Sequence, residues 1–127
     1  MSKEKIRVIM MRPGKRATVE VIDASLSGMQ EIVGGYIQAV YPFEDPVVIV
    51  CNEEGKLDGL EMNRALRDED GDIDDVLCGT AFLCGLTADN FGDVPEELTE
   101  KYLRLFGQAE HFFRDPTGTI HALRDDR

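Results

Sequence analysis

The sequence predicts an α+β fold: a mainly antiparallel sheet with a β-β-α-β-β start, one helix on a face, and a second, C-terminal helix. Three observations predict it. Two early strand-like segments are joined by the turn dipeptide Pro13-Gly14. Apolar residues then recur at helical spacing before Gly34-Gly35. Two more apolar runs follow on either side of a proline-bounded loop, 42–46. A helix beside such strands must lie on a sheet face to bury its stripe.

Each element has its own local reason. Ile6-Arg7-Val8-Ile9-Met10-Met11 reads as a strand with a mostly apolar face, and Thr18-Val19-Glu20-Val21-Ile22 alternates like a half-buried strand. Together they make a hairpin. Asp23 or Ser25 caps a helix from Ser25 to Val33, whose stripe is Leu26, Met29, Ile32 and Val33. Tyr36 to Tyr41 is the next strand. Val47-Val48-Ile49-Val50-Cys51 is apolar at every position, which places it inside the sheet. Residues 52–66 are less regular, and Asn63-Arg64-Ala65-Leu66 reads as a short helical turn. Asp70-Gly71 is a hairpin signal. Residues 76–85 read as one strand with a bulge at Gly79. Asp93 offers a cap and Pro95 a first turn for a helix to Phe106, with Leu98, Tyr102, Leu105 and Phe106 as its stripe and Gly107 as its end. Ala109, Phe112 and Phe113 read as one further turn. The expected domain is 1–113, followed by a polar, loosely ordered tail over 114–127.

The bulk numbers suit one globular domain. The chain has 127 residues, 43% hydrophobic and 31% charged, which is enough length for one core and too apolar for general disorder. Its apolar runs are far shorter than the ~20 residues that cross a bilayer. The charged start Met1-Ser2-Lys3-Glu4-Lys5 has no apolar signal region, so the expected location is cytoplasmic, with no membrane association.

Charge is the most uneven property. The formal net charge is −11, and residues 51–100 hold fifteen acids against three bases, whereas residues 1–50 balance six against six. The densest part is Asp68-Glu69-Asp70-Gly71-Asp72-Ile73-Asp74-Asp75, six acids in eight positions. Such a run repels itself and favours cations or basic partners. It argues against direct nucleic-acid binding, which calls for a basic stripe. In an extended chain Asp68, Asp70, Asp72 and Asp74 would share one face, about 6.8 Å apart, like a row of phosphates. Turned at Asp70-Gly71, they would bunch at a hairpin tip.

Most familiar chemistries find no support. A calcium loop set with Gly71 at its sixth position needs oxygen ligands where Leu66 and Leu77 stand. Gly55-Lys56 is followed by Leu57, so it is not a phosphate loop. Cys51, Cys78 and Cys84 are odd in number, lack a CxxC pair, and read as buried thiols. His111 and His121 are not spaced as metal ligands. Asn63 and Arg64 are open to two readings. They are a partner-contact pair with Arg64 as bidentate donor, or a local helix cap and an ion pair with nearby acids.

One resemblance rests on particular segments. Cys51-Asn52-Glu53-Glu54-Gly55-Lys56-Leu57, Asn63-Arg64-Ala65-Leu66, Asp70-Gly71 and Val76-Leu77-Cys78-Gly79-Thr80-Ala81-Phe82-Leu83 resemble a family of small bacterial and phage proteins known only as a domain of unknown function. The portion from Ile6 to Val33 and that from Leu98 to Gly107 are similar too, so the resemblance covers about 6–107. It implies a setting of phages and conjugative elements in gut and other anaerobic bacteria, where such genes can lie near antirestriction genes. It implies no activity and no catalytic residue.

The expectation is a non-enzymatic accessory protein, without cofactor or metal, that binds a protein partner with a basic surface. Its acidic face would comprise Asp68, Asp70, Asp72 and Asp74, with Asn63 and Arg64. The alternatives are an acidic DNA mimic that inhibits a DNA-binding or restriction enzyme, and a metal-binding protein or enzyme built on the same carboxylates. Oligomeric state is left open.

Overall fold

The computed structural model describes residues 5–88 and 90–125. The charged start at residues 1–4 and the last two residues of the expected tail lie outside them. The fold is α+β and its strand pairs are antiparallel, as the patterning predicts.

The elements follow the chain in order. β1 (Lys5–Met11) and β2 (Thr18–Asp23) form the first hairpin. α1 (Leu26–Val33) starts at Ser25, whose hydroxyl accepts the Gly28 N–H, and it stops at Gly34. β3 (Ile37–Val40) and β4 (Val47–Asn52) complete the predicted start. β5 (Met62–Arg67) and β6 (Ile73–Cys78) form a separate hairpin. β7 (Ala81–Leu86) returns to the main sheet, with the short β8 (Phe91–Gly92) paired to it. α2 (Glu96–Phe106) is followed by a further hairpin, β9 (Glu110–Arg114) and β10 (Ile120–Arg124).

The main sheet runs β2-β1-β7-β4-β3. The continuous apolar run of β4 is an inner strand, and β7 is the centre. Side chains alternate across it, so each face carries a cross-strand row. Met10, Phe82 and Val50 stand in register on one face, and Ile9, Leu83 and Ile49 on the other. α1 covers the first row with Met29 and Val33. The second row is covered by Tyr102 and Phe106 of α2 together with Leu66 and Leu77 of the β5–β6 hairpin. Asp45, in the β3–β4 loop, accepts from Lys101 Nζ and Tyr102 Oη at 2.6 Å each and ties α2 to that loop. Phe43 packs on the Tyr102 ring at 4.9 Å between centroids.

Five expectations are corrected. Asn63 to Leu66 is not a helical turn but the middle of β5, because Arg64, Ala65 and Leu66 pair with Leu77, Val76 and Asp75 of β6. Residues 76–85 are not one bulged strand. Gly79 adopts φ 83°, in the left-handed region that favours glycine, and there the chain leaves β6 to enter a different sheet as β7. Ala109 to Phe113 does not extend α2; Glu110 starts a strand. The segment expected as a loose tail from Arg114 contains β10, which pairs with β9 over five positions from Ile120↔Arg114 to Arg124↔Glu110. Its turn is organised by Asp115, whose carboxylate accepts the N–H groups of Thr117 and Thr119. Asp93 is no helix cap either: it accepts the Arg7 N–H at 2.8 Å, and Pro95 holds the cap position.

The first hairpin carries a pH signature. Hydrogen bonds from the Arg12 guanidinium, then from the Thr18 hydroxyl, hold the Glu20 carboxyl at about 2 instead of 4.5. A carboxyl lowered on folding stabilises the protein above its unfolded value and loses that contribution as it is protonated. The Glu20 contribution is therefore full above pH 4.5 and lost as pH falls toward 2. We expect Glu20→Gln to lower the urea midpoint above pH 4.5, with the difference from the parent closing toward pH 2. Denaturation series at several pH values check this.

Candidate functional site

The acidic run turns instead of extending. Asp68 has a short carboxylate that can reach backbone N–H groups just ahead of it. Its Oδ1 accepts from the N–H groups of Asp70 and Asp72 at 3.0 Å each. The Asp68 N–H donates to Asp72 O at 2.8 Å, and the Gly71 N–H to Asp68 O at 3.0 Å. Gly71 sits at φ 85°, where a side chain would be strained. This closes the β5–β6 hairpin and gathers the carboxylates of Asp68, Asp70 and Asp72, one oxygen of each within 4.8 Å of the others. All three residues are exposed. Asp74 stands beside them, exposed on β6. The spaced row of four phosphate-like charges is therefore not formed. Asp75 pairs with Lys56.

Asn63 and Arg64 are elsewhere. Both are fully buried, at 0% exposure, in the base of the same hairpin. Asn63 Nδ2 donates to Met11 O at 2.9 Å and Gly79 O at 2.8 Å. Arg64 Nε donates to Phe106 O at 2.8 Å, Nη2 to Lys15 O at 2.6 Å, and Nη1 to Asn63 Oδ1 at 2.9 Å. Neither side chain is placed to touch a partner. Asn63 caps no helix, whereas Arg64 meets the last carbonyl of α2. They bolt the hairpin to the end of α2 and to the β1–β2 turn. Glu110 joins from β9: its Oε2 accepts the Ala65 N–H at 3.3 Å, and its Oε1 lies 3.5 Å from Arg67 Nη2. Arg67 also reaches Gly71 O at 3.3 Å, bracing the tip from below.

Open clefts lie along the β5–β6 hairpin, one of them at its tip. One, of about 550 Å³, lies between Val40, Tyr41 and Pro42 and the carboxylates of Asp68, Asp70 and Asp74. A second, of about 420 Å³, lies between Gln38 and Val40 of β3 and the loop carrying Glu53 and Glu54. Asp75 lines both. A third, of about 700 Å³, separates Leu60, Met62 and Val76 from Arg114 and Ile120. The face has exposed apolar anchors: Tyr36 at 71%, Tyr41 at 60% and Leu57 at 86%. Sequence patterning does not single these out, because isolated aromatic and leucine residues look like core until the sheet edge is known.

The other reactive groups are occupied or buried. Cys51, Cys78 and Cys84 are buried free thiols. Burial pushes all three up from their usual value, Cys84 to about 12. His121 Nε2 lies 2.8 Å from Asp115 Oδ2, and its ring stacks on Phe113 at 5.0 Å. His111 faces Asp125 at 3.7 Å.

Two substitutions separate the base of the hairpin from its tip. Arg64→Ala leaves the buried Phe106 carbonyl and the part-buried Lys15 carbonyl without their donor, and should cost about 3 kcal/mol, at about 1–3 kcal/mol per orphaned acceptor. Urea denaturation measures it, and a loss of under about 1 kcal/mol, the net worth of one ordinary hydrogen bond, contradicts the clamp. Asp68→Ala should speed amide exchange at Asp70 and Asp72, whereas Asp68→Asn, which keeps an acceptor oxygen, should leave both slow. Hydrogen exchange at those two amides reads the difference.

A family described as "Domain of unknown function (DUF3846)" matches residues 6–107. No curated protein and no solved structure matches the chain. No helix among the described residues is long and apolar enough to cross a membrane.

Proposed function

The chain belongs to this family of unknown function, and we propose that it works as a non-enzymatic accessory protein of a phage or mobile element. It binds a protein partner that presents a basic surface, and the docking face is the β5–β6 tip with the clefts beside it. The observation that carries this reading is the gathering of Asp68, Asp70 and Asp72 at one exposed turn, with Asp74 next to them. Like charges so close cost free energy unless a counter-charge relieves them. The nearby bases are already committed, Lys56 to Asp75 and Arg67 to Glu110 and the Gly71 carbonyl.

Two further features support a protein partner. The exposed Tyr41 lines the cleft that holds Asp68, Asp70 and Asp74, and tyrosine is enriched among residues that dominate protein interfaces. The hairpin base is buried and hydrogen-bonded to three other segments, which favours a tip already ordered before it meets a partner. The setting among phages and mobile elements is supported by the motif resemblance. The raised thiols and the open clefts favour binding over nucleophilic catalysis.

Capture of partners from a bacterial lysate, followed by titration of the purified pair, tests the reading. We expect the combined Asp68→Asn, Asp70→Asn, Asp72→Asn and Asp74→Asn variant to bind at least about tenfold more weakly, with a shallower salt dependence. Asp68→Asn preserves the turn, so the variant removes charge and not shape. Binding that survives all four changes, or that ignores salt, sinks the acidic-face reading.

A further inference from the structure

β3 is an edge of the main sheet. Its residues, Ile37-Gln38-Ala39-Val40, carry no charge and no proline. Those are the usual devices that discourage a stranger from pairing with an exposed edge. The opposite edge, β2, does carry them, with Glu20 and Asp23. At β3 the Tyr36 carbonyl accepts the Glu53 N–H at 2.9 Å, and Ile37 stands opposite Asn52 in the next position. Hydrogen-bonded and non-bonded pairs alternate along an antiparallel ladder. The N–H and C=O groups of Ile37 and Ala39 therefore point away from β4, toward the edge that no strand among the described residues covers.

The two sides of that edge differ chemically. On the α1 side, Ile37, Ala39 and Ile32 are half-buried and pack on the core beneath α1. On the other side, Gln38 and Val40 border the clefts that hold Glu53 and Glu54 at one end and Asp68, Asp70 and Asp74 at the other. Tyr36 and Tyr41 stand at the two ends of the strand. Neighbouring side chains on adjacent strands lie about 5 Å apart, so a strand added at this edge would place alternate side chains over the acids and the others beside Ile37 and Ala39.

We propose that the partner adds an extended strand to β3, and that this strand alternates lysine or arginine with apolar residues. The basic side chains enter the acidic clefts, the apolar ones cover the α1 side, and the backbone bonds to Ile37 and Ala39. This rests on the acidic-face reading and specifies what that face receives. Charge selects the occupant: a second copy of this chain, itself at −11, would bring the same acids to the same edge.

The probe is a labelled short peptide alternating lysine and valine, titrated into the intact chain by fluorescence anisotropy. Three comparators are used. One has the same composition with lysines and valines in separate blocks. The other two are the alternating peptide N-methylated on one or the other alternate set of amides. Methylation removes donors without changing the charge or the protein. We expect the alternating peptide to bind at least tenfold tighter than the block peptide. One methylated peptide should lose tenfold or more, while the other, methylated on its outward side, binds as the parent does. Equal binding by both methylated peptides and the block peptide overturns strand addition and leaves the acidic face standing. No binding by any lysine peptide removes both. A chain that sediments as a dimer and refuses every peptide gives the edge to a second copy, which also overturns the proposal.

Discussion

The structure depends on one buried guanidinium. Arg64 sits where three segments meet: β5, the end of α2, and the turn between β1 and β2. Taking a charged group out of water is costly unless its donors are met. Here they are met by the carbonyls of Phe106 and Lys15 and by Asn63. The acceptors belong to pieces of chain that are far apart in sequence, so satisfying one side chain fixes the relative position of all three. Burial pulls the Arg64 value down and the charge of Glu110 opposes it, which makes Glu110 the natural companion of this centre.

That clamp answers a need set by the main sheet. β1, β4 and β7 are apolar on both faces, so the sheet requires two covers. α1 is enough for one. On the other, α2 supplies Tyr102 and Phe106, and the β5–β6 hairpin adds Leu66 and Leu77. A two-stranded hairpin is marginal by itself. Its polar bolts to α2 and to the first turn hold it in place.

The site inherits its character from this arrangement. The hairpin is buried at its base and solvated at its end, so one short element carries both a core function and a concentration of carboxylates. Asp68 serves the turn with one oxygen and the charged surface with its other. The tip lies beside β3, and an acidic wall therefore borders a sheet edge that no other strand among the described residues pairs with. Neither feature would suggest a partner of particular shape without the other.

Local chemistry was legible wherever an element answers to its own residues. The turn at Pro13-Gly14, the Ser25 cap, the stripe of α1, the inner run at Val47 to Cys51 and the glycine turn at Asp70-Gly71 follow from steric and hydrophobic rules acting over a few residues. So did the place where negative charge collects. What needed the tertiary structure was every decision made by distant partners. Asn63 and Arg64 look like exposed polar residues until Met11, Lys15, Gly79 and Phe106 are brought around them. Gly79 looks like a bulge until the chain is seen to change sheets there. Ile120 to Arg124 looks like a tail because its pairing partner, β9, has no strong signal of its own. The physical reason is common to all three. Propensity and periodicity report what a segment prefers alone, whereas a buried hydrogen bond or a strand ladder is decided by whichever groups the rest of the chain delivers.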